Sequence, residues 1–294
     1  MPRRSDVESL IQKEQLLTRS SFRLVAAIAA VLAFAPGVFA QDDDDAALKP
    51  AEQDFTVVNL PTALRLPKYR SAFRVTHRFN RPLGEGDFGD LASDLFGLDS
   101  GAQIGLEYRI GIVKNGQIGL HRTNDKTIMF FGQYGLFRQD RQLPLDVTIL
   151  ASIDGTNNFH SNDEVDASYT PSLGVILSRT FADVGALYVE PMWVNNSNEL
   201  PSELVDHNDT FMIGLAARVR IRPTVYLVAE VSPRVAGYKP GTNQGSFAIE
   251  KRAGGHTFQL NFSNGVGTTR GQLARGAFNA DDWYMGFNIS RKFF

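Results

Sequence analysis

The feature that most constrains this chain is a period-two alternation of apolar and polar residues, sustained far longer than a soluble strand needs. In TFMIGLAARVRI, Phe211, Ile213, Leu215, Ala217, Val219 and Ile221 share one face, while Met212, Gly214, Ala216, Arg218 and Arg220 share the other. Ile104, Leu106, Tyr108, Ile110 and Ile112 alternate in the same way with Gln103, Gly105, Glu107, Arg109 and Gly111. Successive side chains of a strand point to opposite faces, so each run has one apolar and one polar wall. Runs of about 11 residues match a tilted strand crossing a bilayer and exceed the usual soluble strand of about 5 to 6.

The rest of the chain repeats this pattern. Beyond residue 56 there is no helix-period segment of useful length and no apolar run long enough for a transmembrane helix, so the fold class is all-β. Further strands fall near 70–80 (Phe73, Val75 and Phe79 on one face), 117–123, 127–137, 145–153, 169–179, 184–193, 225–232, 246–252, 257–263 and 282–293. That makes about 12 in a single antiparallel up-and-down transmembrane β-barrel; the segments 127–137 and 184–193 alternate poorly, which leaves 10 or 14 open. The connections alternate too. The long RPLGEGDFGDLASDLFGLDSGA is followed by the short VKNGQ, and later long links at 154–168, 194–209, 233–245 and 264–281 are separated by TFAD, RPT and AGGH. Short turns at one end and long loops at the other are the layout of an outer-membrane barrel; RTNDK at 122–126 is short for its end. If Arg222, Pro223 and Thr224 form a loop, Val219 faces Leu227 and Ala217 faces Ala229. A slip of one residue would invert the faces.

A strand wall that faces lipid requires export. Residues 22–40, FRLVAAIAAVLAFAPGVFA, follow Arg19 and end in Pro-Gly and a small-residue pattern, which reads as a signal peptide over residues 1–40 cut before Gln41. The Pro-Gly and the following QDDDD argue against a membrane anchor. Without residues 1–40, five basic and three acidic residues leave the totals of 30 and 32, giving 25 against 29. That balance asks for no nucleic acid. With 0 cysteines there is neither a disulfide framework nor a lipoprotein anchor. Residues 41–68 read as an acidic, mostly flexible segment, and 69–294 as the barrel.

The chain finishes on DDWYMGFNISRKFF. Trp283, Met285, Phe287, Ile289 and Phe293 share the outward parity; Tyr284, Gly286, Asn288, Ser290 and Lys292 point in. This end resembles the C-terminal assembly signal of outer-membrane β-barrels, carried here by Trp283, Phe287, Ile289, Phe293 and Phe294, although the last aromatic stands one residue beyond the lipid-facing parity. Over most of residues 55–294 the chain also resembles an uncharacterised family of bacterial outer-membrane β-barrels, a domain of unknown function. LPKYRSAFRVTHRFN, FGLDSGAQIGLEYRIG, GGHTFQLNFSNGVG and GFNISRKF carry that resemblance. It implies a barrel in the cell outer membrane, with lipid and the barrel assembly machinery as partners, and implies no activity.

Interior charge is the chemistry on offer. Arg74, Arg78, Glu107, Arg109, Arg218, Arg220, Glu230, Glu250, Arg252 and Lys292 all fall opposite the apolar face, where they must meet water or one another. They could line a narrow, partly plugged channel for small hydrophilic solutes, or form an ion-paired interior that closes the barrel and leaves its loops to act. Leu91, Leu95, Phe96 and Leu98 in the first long loop could constrict the lumen or lie as a lid over the rim. His160 with Asp163, Glu164 and Asp166, and His207 with Asp206 and Asp209, match no metal motif, so neither metal nor cofactor is expected. His77 lies outward beside Val75 and Phe79, where a membrane-embedded hydrolase would keep a base. The adjoining strands offer no outward Ser, so a lipid-acting enzyme is the least favoured class and none is expected.

Overall fold

The computed structural model describes residues 51–139, 143–156, 169–198 and 207–293. Residues 1–50, with the segment the sequence reads as a signal peptide, and Phe294 lie outside them. Among the described residues thirteen antiparallel strands run in order: β1 (Ser71–Pro82), β2 (Ala102–Val113), β3 (Gly116–Thr123), β4 (Thr127–Phe137), β5 (Asp146–Thr156), β6 (Tyr169–Phe181), β7 (Gly185–Asn195), β8 (Asp209–Arg222), β9 (Val225–Ser232), β10 (Arg234–Gly237), β11 (Gln244–Ala253), β12 (His256–Ser263) and β13 (Tyr284–Phe293). Neighbours in sequence pair throughout β1 to β9. β13 joins β1 to β12, and β11 joins β12 to β9, so 12 strands close on themselves. Closure removes the sheet edge that hydrocarbon could not satisfy. The thirteenth strand, β10, prolongs β9 along β8 beyond Pro233, with a register shift between Arg234 and Ala236.

Register follows the alternation. Val219 pairs with Leu227, Ala217 with Ala229 and Ala216 with Glu230. The turn itself is Pro223-Thr224, and a bulge between Arg220 and Arg222 absorbs the extra residue, preserving the faces a three-residue loop would have given. The short links between β2 and β3, β6 and β7, β8 and β9, and β11 and β12 lie at the end holding the start of β1 and the end of β13, called here the turn end. The opposite, loop end includes one tight turn after β3. There Asn124 accepts from the Ile104 N–H and donates to the Ala102 carbonyl, while Asp125 accepts from the Thr127 N–H.

The outward rows are exposed apolar residues, as a lipid face requires: Leu106, Ile118, Phe130, Ile153, Leu215, Leu227 and Phe258 among them. Inside, polar side chains surround one apolar patch. The inner wall of β5 to β9 carries that patch, with Leu150, Ile176, Tyr188, Met192, Met212 and Val228 buried, set among buried Thr148, Ser152, Ser172, Glu190, Arg218 and Glu230. The inner wall of β11 to β13 and β1 to β3 is polar, with Glu250, Gln259, Asn288, Arg74, Glu107 and His121 buried. Buried apolar residues on the inner face explain why β7 and β4 alternate poorly in sequence: Tyr188, Met192 and Val194 join the apolar patch, while Met129 and Phe131 are buried against the guanidiniums of Arg270 and Arg109.

Candidate functional site in the barrel lumen

A barrel of this circumference has an interior too wide for its own inward side chains to fill. Residues 51–66 fill it. The sequence places this stretch outside the barrel as mostly flexible chain, and the structure corrects that. Glu52, Gln53, Val57, Val58, Leu60 and Thr62 are all at most 2% exposed. The stretch turns back on itself, with the Val57 N–H donating to the Leu60 carbonyl (2.8 Å) and the Thr62 N–H to the Phe55 carbonyl (2.9 Å). It is a hairpin whose tip, near Asn59, reaches the middle strand positions. Its exit is fixed at the turn end, where Gln117 brackets it through the Leu66 N–H and the Leu64 carbonyl.

Charged and amide side chains from β8, β9, β12 and β13 hold the tip. The Glu230 carboxylate accepts from the N–H groups of Val58, Asn59 and Leu60 at 2.9–3.0 Å, and from the Asn59 side-chain amide at 2.9 Å. Carboxylates bound by several N–H groups make strong, charge-assisted bonds. The opposite polarity is read by donors: Arg218 to the Thr56 carbonyl (2.8 Å), Gln259 to the Val57 carbonyl (2.6 Å) and Asn288 to the Val58 carbonyl (3.0 Å). Arg78 donates to the Asn59 amide oxygen and to Asn288, and Arg74 to the Thr56 hydroxyl. Asp54 accepts from Ser290 and lies 3.8 Å from Lys292. Val57, Val58, Leu60 and Ala63 pack with the apolar patch of the wall. Leu60 occupies the space over Gly214, where a Cβ would come within 2.9 Å of its side chain.

From the loop end a second element enters. The link between β12 and β13 carries α1 in this region, a short helix Arg270–Arg275, with Arg270, Gly271, Leu273 and Ala274 buried. Thr269 caps it by accepting from the Gln272 N–H, and Gln272 reaches back in a capping box. Asp154 on β5 accepts from the Gly271 N–H at 2.8 Å, Gln272 donates to Asp125 at 2.8 Å, and the Thr268 hydroxyl lies 3.2 Å from His121. Burial pushes the Asp125 carboxyl up, but donors from Thr123 and the Thr127 backbone more than offset it and hold it below the ordinary aspartate value. His121 in turn faces Glu107, which pairs with Arg109.

Eight of the ten charges read from the alternation are buried within the barrel: Arg74, Arg78, Glu107, Arg109, Arg218, Glu230, Glu250 and Lys292. Arg220 and Arg252 are only half-buried at the turn end, where Arg220 donates to the Pro223 carbonyl. Further buried charges escaped the sequence reading, among them Asp146 and Asp154 from β5, Glu190 from the poorly alternating β7, Arg234 from β10 and Arg270 from the capping loop. Both carboxylate oxygens of Glu190 are buried with no hydrogen-bond partner among the described residues. Thr269-Arg270-Gly271-Gln272 carries the spacing of a capping box, a signal that could have marked the inward helix.

The first long loop does not enter the lumen. Its helical turn Phe88–Ser93 and the following Leu95–Ser100 lie on the outward side of β1, with Gly97 seated against Phe79 and Arg81. Phe88, Leu95 and Leu98 are more than half exposed. Trp283, Phe287, Ile289 and Phe293 keep the outward parity, Phe287 stacking on His77 with ring centroids 4.6 Å apart. His207 is exposed and Asp209 accepts from the Trp193 indole, while His160, Asp163, Glu164, Asp166 and Asp206 lie outside the described residues.

Residues 53–293 match the model of a protein family described as a membrane bound beta barrel domain (DUF5777). The chain belongs to this family. No curated protein matches the sequence. Among solved structures the DUF5777 chain is similar to outer membrane phospholipase A from Escherichia coli, at 9% identity over 76% of this chain and 90% of that one, with a TM-score of 0.41. It is also similar to LpxR from Salmonella typhimurium (10% identity, 76% and 99% coverage, TM-score 0.37) and to a triple mutant of the Rh. blastica porin (8%, 77% and 99%, 0.28). At such identities and scores these likenesses carry no argument about what this barrel does.

Proposed function

We propose that this DUF5777 chain is an outer-membrane barrel that is closed at rest by its own residues 51–66 and acts through the surface at its loop end. The observation that carries the reading is the hairpin itself. A lumen packed with Val57, Val58 and Leu60 and bonded through Glu230, Arg218 and Asn288 is a protein core, not a water column. Short turns then face the periplasm and the long loops the exterior. Lipid is the partner of the outward wall and the barrel assembly machinery that of the terminal strand. His77, stacked on Phe287 and edge-on to Phe79, is supported as an interfacial ring and not as a base serving a hydroxyl nucleophile.

A channel for small hydrophilic solutes is the second reading. It is favoured by one observation: the wall beneath the hairpin is charged, and Arg78 is held there by amides, not by a carboxylate. In that reading the hairpin is a gate. Conductance of the purified chain in a planar bilayer separates the two: the closed barrel passes no sustained current, and a steady open current at rest would reject it.

A further inference from the structure

The wall recognises the hairpin chiefly through its main chain. Across residues 56–60, Arg218, Gln259 and Asn288 each donate to one carbonyl, and Glu230 collects three successive N–H groups. The four side chains come from four different strands, β8, β12, β13 and β9, so they converge on the turn from separate parts of the wall. Main-chain atoms are common to every peptide, and a wall that reads them is complementary to a backbone shape. Sequence enters through side chains: Val57, Val58 and Leu60 join the apolar patch, the Asn59 amide bridges Glu230 and Arg78, Arg74 donates to the Thr56 hydroxyl, and outside the turn Ser290 donates to Asp54 and Gln53 to Glu250.

The hairpin is also joined to the barrel by a short accessible tether. Pro67, Lys68, Tyr69 and Arg70 are all exposed, and Tyr69 is 74% exposed, between the buried Leu66 and the first strand. Nothing in the recognition of residues 56–60 uses that tether. It raises the local concentration of the hairpin to the millimolar range typical of short linkers, about 1 mM or more, without adding a contact to the site.

We propose that the lumen is a peptide-binding site and that residues 51–66 occupy it as a tethered stand-in for a peptide ligand. The ligand class is a short turn-forming peptide with two branched apolar residues followed by asparagine and another apolar residue. Its backbone turn is gripped by Glu230 and its carbonyls by Arg218, Gln259 and Asn288. This rests on the closed-lumen reading, and the two fail separately. Current through the intact chain would remove that reading, whereas a closed barrel that rejects peptide removes only this one.

The test uses the full chain with a protease site placed between Pro67 and Tyr69, cut after the barrel has assembled. The cut hairpin is expected to stay bound through detergent washing and to exchange with a fluorescent synthetic peptide of residues 51–66. A peptide of the same composition in scrambled order should not enter. Glu230→Gln should speed the exchange at least tenfold, and Gln259→Ala, which removes a single carbonyl donor, should speed it severalfold should the first variant fail to assemble. Loss of the hairpin with no rebinding of the labelled peptide would overturn the proposal, as would equal uptake of the scrambled peptide.

Discussion

Arg218 on β8 and Glu250 on β11 form an ion pair at 3.0 Å with neither side chain exposed, spanning β9 on the inside of the barrel. Arg218 closes the pair with two donors and spends a third bond on the Thr56 carbonyl, so one guanidinium joins the wall to the hairpin. Removing it leaves Glu250 buried and short of its cation. Arg218→Met should cost about 3 to 5 kcal/mol, while Arg218→Met with Glu250→Met should recover most of that loss. Urea unfolding of the detergent-solubilised barrel, followed by its heat-modifiable mobility, measures both. Equal loss in the single and double variants would contradict the pairing.

The two faces of β8 predict a depth-dependent cost for charge. Leu215 lies at the middle of the strand and Val219 close to the turn end, both outward and about two-fifths or more exposed. Leu215→Arg should destabilise by about 2 to 4 kcal/mol, and Val219→Arg by about 1 kcal/mol or less if it lies at the interface. The readout is unfolding in lipid vesicles. A larger cost at Val219 would place the hydrocarbon band nearer the turn end than this account has it.

Glu190 gives a prediction of the opposite sign. It is fully buried, and both oxygens lack a hydrogen-bond donor among the described residues. An unpartnered buried carboxylate is a cost, so Glu190→Gln should leave stability unchanged or raise it. A loss above about 2 kcal/mol would mean that the carboxylate holds a bond important to the fold.

The inward helix at the loop end should loosen selectively. Thr269→Ala removes the cap on Gln272 and should cost about 1 kcal/mol, read as faster trypsin cleavage after Arg270 or Arg275 with the barrel intact. Because the Asp125 carboxyl is held below its ordinary value, its share of docking is complete above the unfolded aspartate pKa of about 3.9 and is lost only as pH falls through the lower folded value. Cleavage that rises already between pH 7 and pH 5 would conflict with this.

How much of this was legible in the sequence depends on what solvent each residue meets. Strands and register were readable because lipid forces every second residue to be apolar: Val219 against Leu227 follows from that alone. Where the inner wall meets a core instead of water, as at Tyr188 and Met192, both faces are apolar and the period fades. The hairpin left almost no trace. A single turn inside a lumen has no period, its main-chain partners include residues as distant in sequence as Glu230 and Asn288, and its polar atoms look like those of a solvated leader. Inward charges were legible as a set, but which ones would grip main chain was not, since that depends on what fills the space between them.

The central claim is that residues 51–66 lie inside the barrel, and the natural absence of cysteine makes it directly measurable. The Asn59 amide and the Ser246 hydroxyl approach to 3.4 Å across the lumen. Asn59→Cys with Ser246→Cys, placed in the assembled barrel in vesicles, should be joined by oxidation or by a short bifunctional thiol reagent, giving a cross-linked peptide by mass spectrometry after digestion. Two free thiols that both react with a membrane-impermeant maleimide, with no cross-linked product, would show that the hairpin is not in the lumen.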